Sequence, residues 1–289
     1  MLTHVFFSGS HIWGFCYIGI IKYIQSFPDK FKFVKDFGGV SFGASISLLL
    51  ALNVPINIIK EHFYKYSEDN SLKTNEIDNI INIINDKGME DSSKYFVFLK
   101  SYLIDTYGVE DFTFLELSKK FGNNLHVTAL CANTGEIELF NVDRTPHVNI
   151  IEATIASISI PIVSMPVMIN NKYYSDPALL NNTILDFFKH IPKNQILSVI
   201  NKLEIKFDKN IENMNTLKYF YNLLLCYNKR QYDLSCLSYI NEHTLVIKDH
   251  DDFINIIINE NGIIQDFNKE TIDICILHGF NSISKWFIK

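Results

Sequence analysis

The 289-residue chain is poor in the residues that punctuate or crosslink a fold, with 12 Gly, 7 Pro and 5 Cys. So little Gly and Pro beside 47% hydrophobic residues excludes collagen-like, disordered and low-complexity architectures. The cysteines (16, 131, 226, 236 and 275) are odd in number and show no CxxC or CxxH spacing. Neither a disulfide framework nor a structural zinc site is expected, and a reducing compartment is. Arginine is scarce: Arg144 and Arg230 stand among 26 basic residues, against 32 acidic ones, for a net charge of −6. No basic stripe emerges, so nucleic acid is not an expected partner. A long apolar run is lacking too. The best candidate, Ala44–Ile59, is broken by Asn53, Pro55 and Asn57 and falls short of the roughly 20 residues of a membrane span. The opening Met1-Leu2-Thr3-His4 has no basic n-region or cleavage pattern of a signal peptide. These absences predict a cytoplasmic protein.

What the chain does have is apolar patterning. Leu2–Phe7 reads as a buried strand, Ile12–Ser26 as a helix ending before Pro28, and Phe31–Phe37 as a second strand closed by Gly38-Gly39. Ala44–Leu52 is too apolar all round for a surface helix, and Pro55 suits the first turn of another helix at Ile56–Tyr66. Strand and helix alternating at this spacing predict a largely parallel sheet covered by helices. Residues 67–94 are polar and predict a loosely packed excursion, with a helix at Glu76–Asn85. Tyr95–Tyr107, Thr113–Phe121 and Ile150–Ser157 read as helices. Leu125–Ala132 and Glu136–Val142 read as a hairpin, and Ile196–Ile200 as a strand. Ile211–Tyr227, Thr244–Lys248, Phe253–Ile258 and Thr271–Phe287 continue helix, strand and helix without a linker. One domain over 1–289 is expected, with 1–200 carrying the motifs and 201–289 completing it.

The most informative stretch is Gly39-Val40-Ser41-Phe42-Gly43. G-x-S-x-G arises by chance in roughly one chain in thirty of this composition, so its context decides. A strand precedes it and a buried helix follows, the setting of a nucleophile elbow. The alternative is an ordinary Gly-rich turn into a buried helix. A serine hydroxyl needs an adjacent base to act as a nucleophile. An α/β-hydrolase would supply Asp then His, and His243, His250 and His278 are available; but only two strands precede Ser41, where that fold usually has several.

Three segments, in order, carry a more specific resemblance. Gly39–Ser45 resembles the G-x-S-x-G-A block of the patatin-like phospholipases, and Ala156-Ser157-Ile158-Ser159-Ile160-Pro161 resembles their A-S-x-x-x-P segment. Ser175-Asp176-Pro177-Ala178, running on to Asn181-Asn182, resembles their D-G-G/A-x-x-x-N block. The likeness spans essentially the whole chain. It implies a three-layer α/β/α fold with a mostly parallel central sheet, and a lipid acyl hydrolase working through a Ser41–Asp176 dyad. It further implies no cofactor, metal or calcium. The implied partners are a phospholipid or other acyl-ester lipid and transient contact with a membrane or micelle.

Two supporting regions depart from the family. The oxyanion loop, a run of glycines with a basic residue in the family, is here Gly9-Ser10-His11-Ile12-Trp13-Gly14. Ser10 and His11 can present amides only if the loop needs no positive φ there. Pro177 follows Asp176 in place of Gly and removes a backbone donor. These departures leave open a lipid-binding protein without activity on the same fold. His250-Asp251-Asp252 reads as a solvated turn, since adjacent residues do not normally converge on one metal ion. Asn70–Lys94 reads as a surface loop, with a lid over the site as the alternative.

Overall fold

The computed structural model describes residues 1–10, 14–68, 87–202, 211–248 and 268–288. Strand β1 (His4–Phe7) leads to helix α1 (Phe15–Ser26), a helical turn at Pro28–Phe31, strand β2 (Asp36–Gly39), α2 (Phe42–Ala51) and α3 (Ile56–Glu68). Then come β3 (Gly88–Glu90), a 3₁₀ turn at Ser92–Phe96, α4 (Val97–Tyr107), α5 (Phe114–Phe121), β4 (Asn124–Cys131), β5 (Ile137–Phe140) and α6 (Ile150–Ile158). β6 (Ile162–Ser164), β7 (Val167–Ile169), β8 (Lys172–Ser175), β9 (Ile196–Lys202), α7 (Thr216–Cys236), β10 (Thr244–Lys248) and α8 (Lys269–Trp286) complete the described elements.

The main sheet has the order β10-β9-β1-β2-β4-β8-β7, with β5 also pairing β4. The contacts from β10 to β4 are parallel, while β5, β8 and β7 add antiparallel pairs. Its central strands are short and almost wholly buried because both faces are covered. Successive residues of β1 feed opposite sides. Val5 and Phe7 join the large core with Tyr17, Ile20, Leu48 and Val127, whereas Phe6 packs with Ile184, Leu185 and Phe188 in a smaller one. On the large-core side, α1 crosses α8 at Gly19 and Gly279. A Cβ on Gly279 would lie 1.8 Å from the Cys16 carbonyl oxygen, so only glycine permits that approach.

Most elements fall where the hydrophobic patterning puts them, and the hairpin pairs Val127 with Phe140. The second strand is an exception. It begins at Asp36 and not at Phe31, because Pro28 opens a helical turn and Val34 N–H closes back on the Phe31 carbonyl at 2.8 Å. The polar excursion also holds a strand, since β3 pairs with β6 in a separate two-stranded sheet. Helix α7 runs on to Cys236, nine residues past the expected Tyr227. The expected elements at Glu76–Asn85 and Phe253–Ile258 lie outside the described residues.

The N-terminal end of β2 carries a polar knot. The Asp36 carboxylate accepts hydrogen bonds from His126 Nε2 at 2.9 Å and Asn124 Nδ2 at 3.0 Å, with His4 Nε2 at 3.8 Å. Asn141 uses its oxygen to accept from the Asp143 and Arg144 amides, which turns its Nδ2 toward His126 Nδ1. His126 Nε2 is therefore the donor in the hydrogen bond to Asp36. Burial alone would raise Asp36, but these hydrogen bonds and the two imidazoles hold it below the usual carboxylate range.

Candidate active site

Ser41 sits between the last residue of β2 and the first turn of α2. Its backbone has φ 53° and ψ −127°, a conformation that is strained for any residue but glycine. The flanking glycines allow the turn to close. A Cβ on Gly39 would come within 2.4 Å of the Gly43 backbone, and one on Gly43 within 2.5 Å of the Phe7 and Ser8 carbonyl oxygens. Gly43 N–H donates to the Val40 carbonyl at 2.9 Å and Ala44 N–H to that of Ser41 at 2.8 Å. The Ser41 amide itself donates to Ser157 Oγ, 2.9 Å away at the end of α6. The side chain is left at the head of a helix whose terminal amides favour developing negative charge.

The sheet brings Asp176 to this point. Val127 of β4 faces Phe140 on one side and Gly39 on the other, while Leu130 faces Ile137 and Ser175. β8 therefore takes over the edge of β4 where β2 stops, and the residue after β8 arrives beside the turn at Val40 and Ser41 that follows β2. The Asp176 amide donates to the Ser159 carbonyl at 2.8 Å, so α6 and its exit anchor both Ser41 and Asp176.

Asp176 is 3% exposed. Burial is the largest influence on its carboxyl and raises it to about 7, with hydrogen bonds from the Ser41 side chain and the Ala178 amide pulling the other way. Pro177 removes one donor, as its chemistry requires, and the Ala178 amide at 2.8 Å supplies the carboxylate's backbone hydrogen bond. Such a carboxylate can take a proton from the serine hydroxyl and return it near neutral pH.

Gly9 lies against the pair, since a Cβ there would stand 3.3 Å from that of Ser41. Ser10 is buried and does not need positive φ, so its replacement of glycine leaves the backbone unstrained. Asn182 fastens the loop, donating from Nδ2 to the Gly9 carbonyl at 2.9 Å. His11 and Trp13 lie outside the described residues. Ser157 and Asn182, which position the nucleophile turn and the glycine loop, were assigned no role from sequence. Their signal was their place inside the segments that carry the family resemblance.

A cavity of about 350 Å³ opens beside Ser41. Its walls are mainly aromatic and aliphatic, with Phe15, Phe42, Phe63, Phe98 and Leu99 among them. Two titratable groups of the wall, His62 and Glu90, are neutralised or occupied. His62 stacks on Phe98 at 3.4 Å between ring centres, and burial, aided by Lys65, lowers it to about 4, so it is uncharged at neutral pH. Glu90 accepts from Lys94 Nζ at 2.6 Å and from the Tyr95 hydroxyl at 2.5 Å. His243 lines a different cavity with Leu185 and Ser198, while His278 lies on α8 away from the lining and His250 is outside the described residues. Among the described residues no cluster of three or more ligating side chains could hold a metal. None of the described helices is long and apolar enough to cross a membrane.

An eight-stranded, mostly parallel sheet with a strained serine at a strand–helix turn and a buried aspartate against it defines a class. The chain belongs to the patatin-like phospholipase family, whose sequence model matches residues 5–189. Among curated relatives, uncharacterized protein R571 of Acanthamoeba polyphaga mimivirus is 24% identical over 85% of this chain and 82% of its own length. Probable lipid hydrolase 463L of Invertebrate iridescent virus 6 is 28% identical over 54% of each chain. Among solved structures, VipD from Legionella pneumophila superposes with a TM-score of 0.58 at 15% identity, covering 99% of this chain and 66% of VipD. That likeness is one of fold.

Proposed function

We propose that the protein hydrolyses acyl esters of lipids, in the manner of a phospholipase A or lysophospholipase, through Ser41 and Asp176. The observation that carries this reading is the arrangement: a strained serine at a strand–helix turn lines an apolar cavity, and its hydroxyl acts on a buried carboxyl raised to about 7. Ser41 Oγ attacks the ester carbonyl carbon as its proton passes to Asp176. The tetrahedral intermediate collapses with cleavage of the carbon–oxygen bond to the alcohol, which leaves with that proton. Water then attacks the acyl-enzyme, gives its proton to Asp176, and the acid departs as the proton returns to Ser41 Oγ. The Gly9 and Ser10 amides are the candidates to receive the oxyanion, since that loop approaches Ser41 at Gly9 and the Ser41 amide is already given to Ser157. No step calls on a cofactor or metal, and contact with a membrane or micelle would be transient.

The experiment is intact-mass labelling with a fluorophosphonate in the presence of chelator. The expected result is one adduct on Ser41, absent in Ser41→Ala and formed far more slowly in Asp176→Asn. A folded wild-type protein that takes no adduct would sink the reading and favour a lipid-binding protein on the same fold.

A further inference from the structure

Ser41, Ser45 and Leu49 all line the cavity, and their spacing of four residues sets them in one stripe down α2. At a rise of about 1.5 Å per residue, Ser45 stands roughly 6 Å and Leu49 roughly 12 Å from the nucleophile along the helix. Leu49 and Leu99 are buried (4% and 0% exposed), and Leu49 is the last residue of the stripe to line the cavity, while Ser45 at its midpoint is half-buried. A volume of about 350 Å³ holds roughly a dozen methylene-sized groups at the ~30 Å³ each that a water molecule takes in the liquid. Length and volume agree.

We infer that α2 is a ruler for the acyl chain: the site selects a single medium-length chain of roughly ten to twelve carbons, with Ser45 leaving the midpoint open and Leu49 setting the end. This rests on the proposed hydrolase reading and adds a substrate class to it. Ser45 is the controlling position, because its small side chain keeps open the space an apolar residue would fill. Each methylene that enters should raise kcat/KM by about two- to fourfold. Carbons beyond that volume gain nothing, so a long chain is no better a substrate than one that just fills the cavity.

The test compares kcat/KM on the 4-nitrophenyl esters of butyrate, dodecanoate and hexadecanoate in one fixed detergent. Wild type should prefer dodecanoate over butyrate by at least about a hundredfold, with hexadecanoate no better than dodecanoate. Ser45→Phe should lower the dodecanoate-to-butyrate ratio at least about tenfold, and Leu49→Ala should raise the hexadecanoate-to-dodecanoate ratio several-fold. A partial folding defect scales every ester alike and leaves these ratios unmoved, and the two variants move the preference in opposite directions. A wild-type profile that still climbs at hexadecanoate, or ratios unchanged in both variants, would overturn the ruler. If Ser41 takes the fluorophosphonate while the ratios stay flat, the ruler alone fails. If Ser41 takes none, the hydrolase reading fails with it.

Discussion

Two aspartates stand at opposite ends of β2, and they have been driven in opposite directions. Asp36 starts the strand and Asp176 meets the turn beyond its end at Ser41, and burial acts to raise both. Asp36 has His126, Asn124 and His4 around it and is held low. Asp176 has one amide and one hydroxyl and rises to about 7. Burial alone therefore does not set a carboxyl's state; its donor and cationic partners do, and Asp111, also raised to about 7 by burial but outside the cavity lining, shows that a raised carboxyl needs a site around it to matter. The comparison is broken most directly by removing the reactive end. Ser41→Ala and Asp176→Asn should each cut kcat at least about a thousandfold, and kcat/KM of the wild type should rise with pH along a limb centred near 7. Replacing His126 or His4 should leave that limb in place. A limb that moves with either histidine would mean that the two ends of β2 are not separate systems.

The second test is stability, where the signs oppose. Asp176 has a folded value raised above the ordinary one, so the folded state prefers its protonated form. Its favourable contribution is complete below about pH 4 and is lost as pH rises through about 7. The carboxamide introduced by Asp176→Asn is neutral throughout and can still accept from the Ala178 amide. The substitution should therefore stabilise the protein above pH 7, on the order of 2–4 kcal/mol, with the gain fading below pH 4. Chemical unfolding at several pH values reads this out. A destabilised Asp176→Asn at pH 8 would show that the carboxylate is stabilised by more than its two visible partners.

How much of this was legible in the sequence differs between the two ends. Ser41 announces itself because a strained turn needs glycine on both sides, and G-x-S-x-G prints that need in the chain. Asp176 could be named only through its family block, since nothing local tells a turn aspartate before Pro177 from a buried base. Their meeting depends on β8 replacing β2 along one edge of β4, and β6, β7 and β8 are too short to give a periodic signal. The cavity was invisible for a similar reason. It is assembled from α1, α2, α3, β3, α4 and the exit of α6, elements distant in sequence. The knot at Asp36 is invisible in the sequence, because His4, Asp36 and Asn124 lie on three strands that only parallel registration aligns, with His126 two residues further along β4.

The smallest expected effect belongs to that knot, and it separates structure from chemistry most cleanly. Asp36 has a folded value below the ordinary one, so its stabilising contribution is present above about pH 4 and is lost as pH falls through the lowered value. Asp36→Asn replaces an acceptor-only carboxylate with an amide. His126 Nε2 and Asn124 Nδ2 both donate to Oδ1, so the carboxamide oxygen can keep both, and what is lost is the charge that strengthens the two hydrogen bonds. The cost should be about 1–2 kcal/mol at neutral pH, shrinking toward zero in acid, where the wild type loses the same interactions. Hydrolysis by the variant should stay within about twofold of wild type at neutral pH, because no atom of the knot touches Ser41, Asp176 or the cavity lining. The pH profile of stability thus tilts one way when Asp176 is neutralised and the other way when Asp36 is. A variant of Asp36 that loses activity in step with Asp176→Asn would show that β2 transmits strain between its ends, and that the elbow at Ser41 is held partly from below.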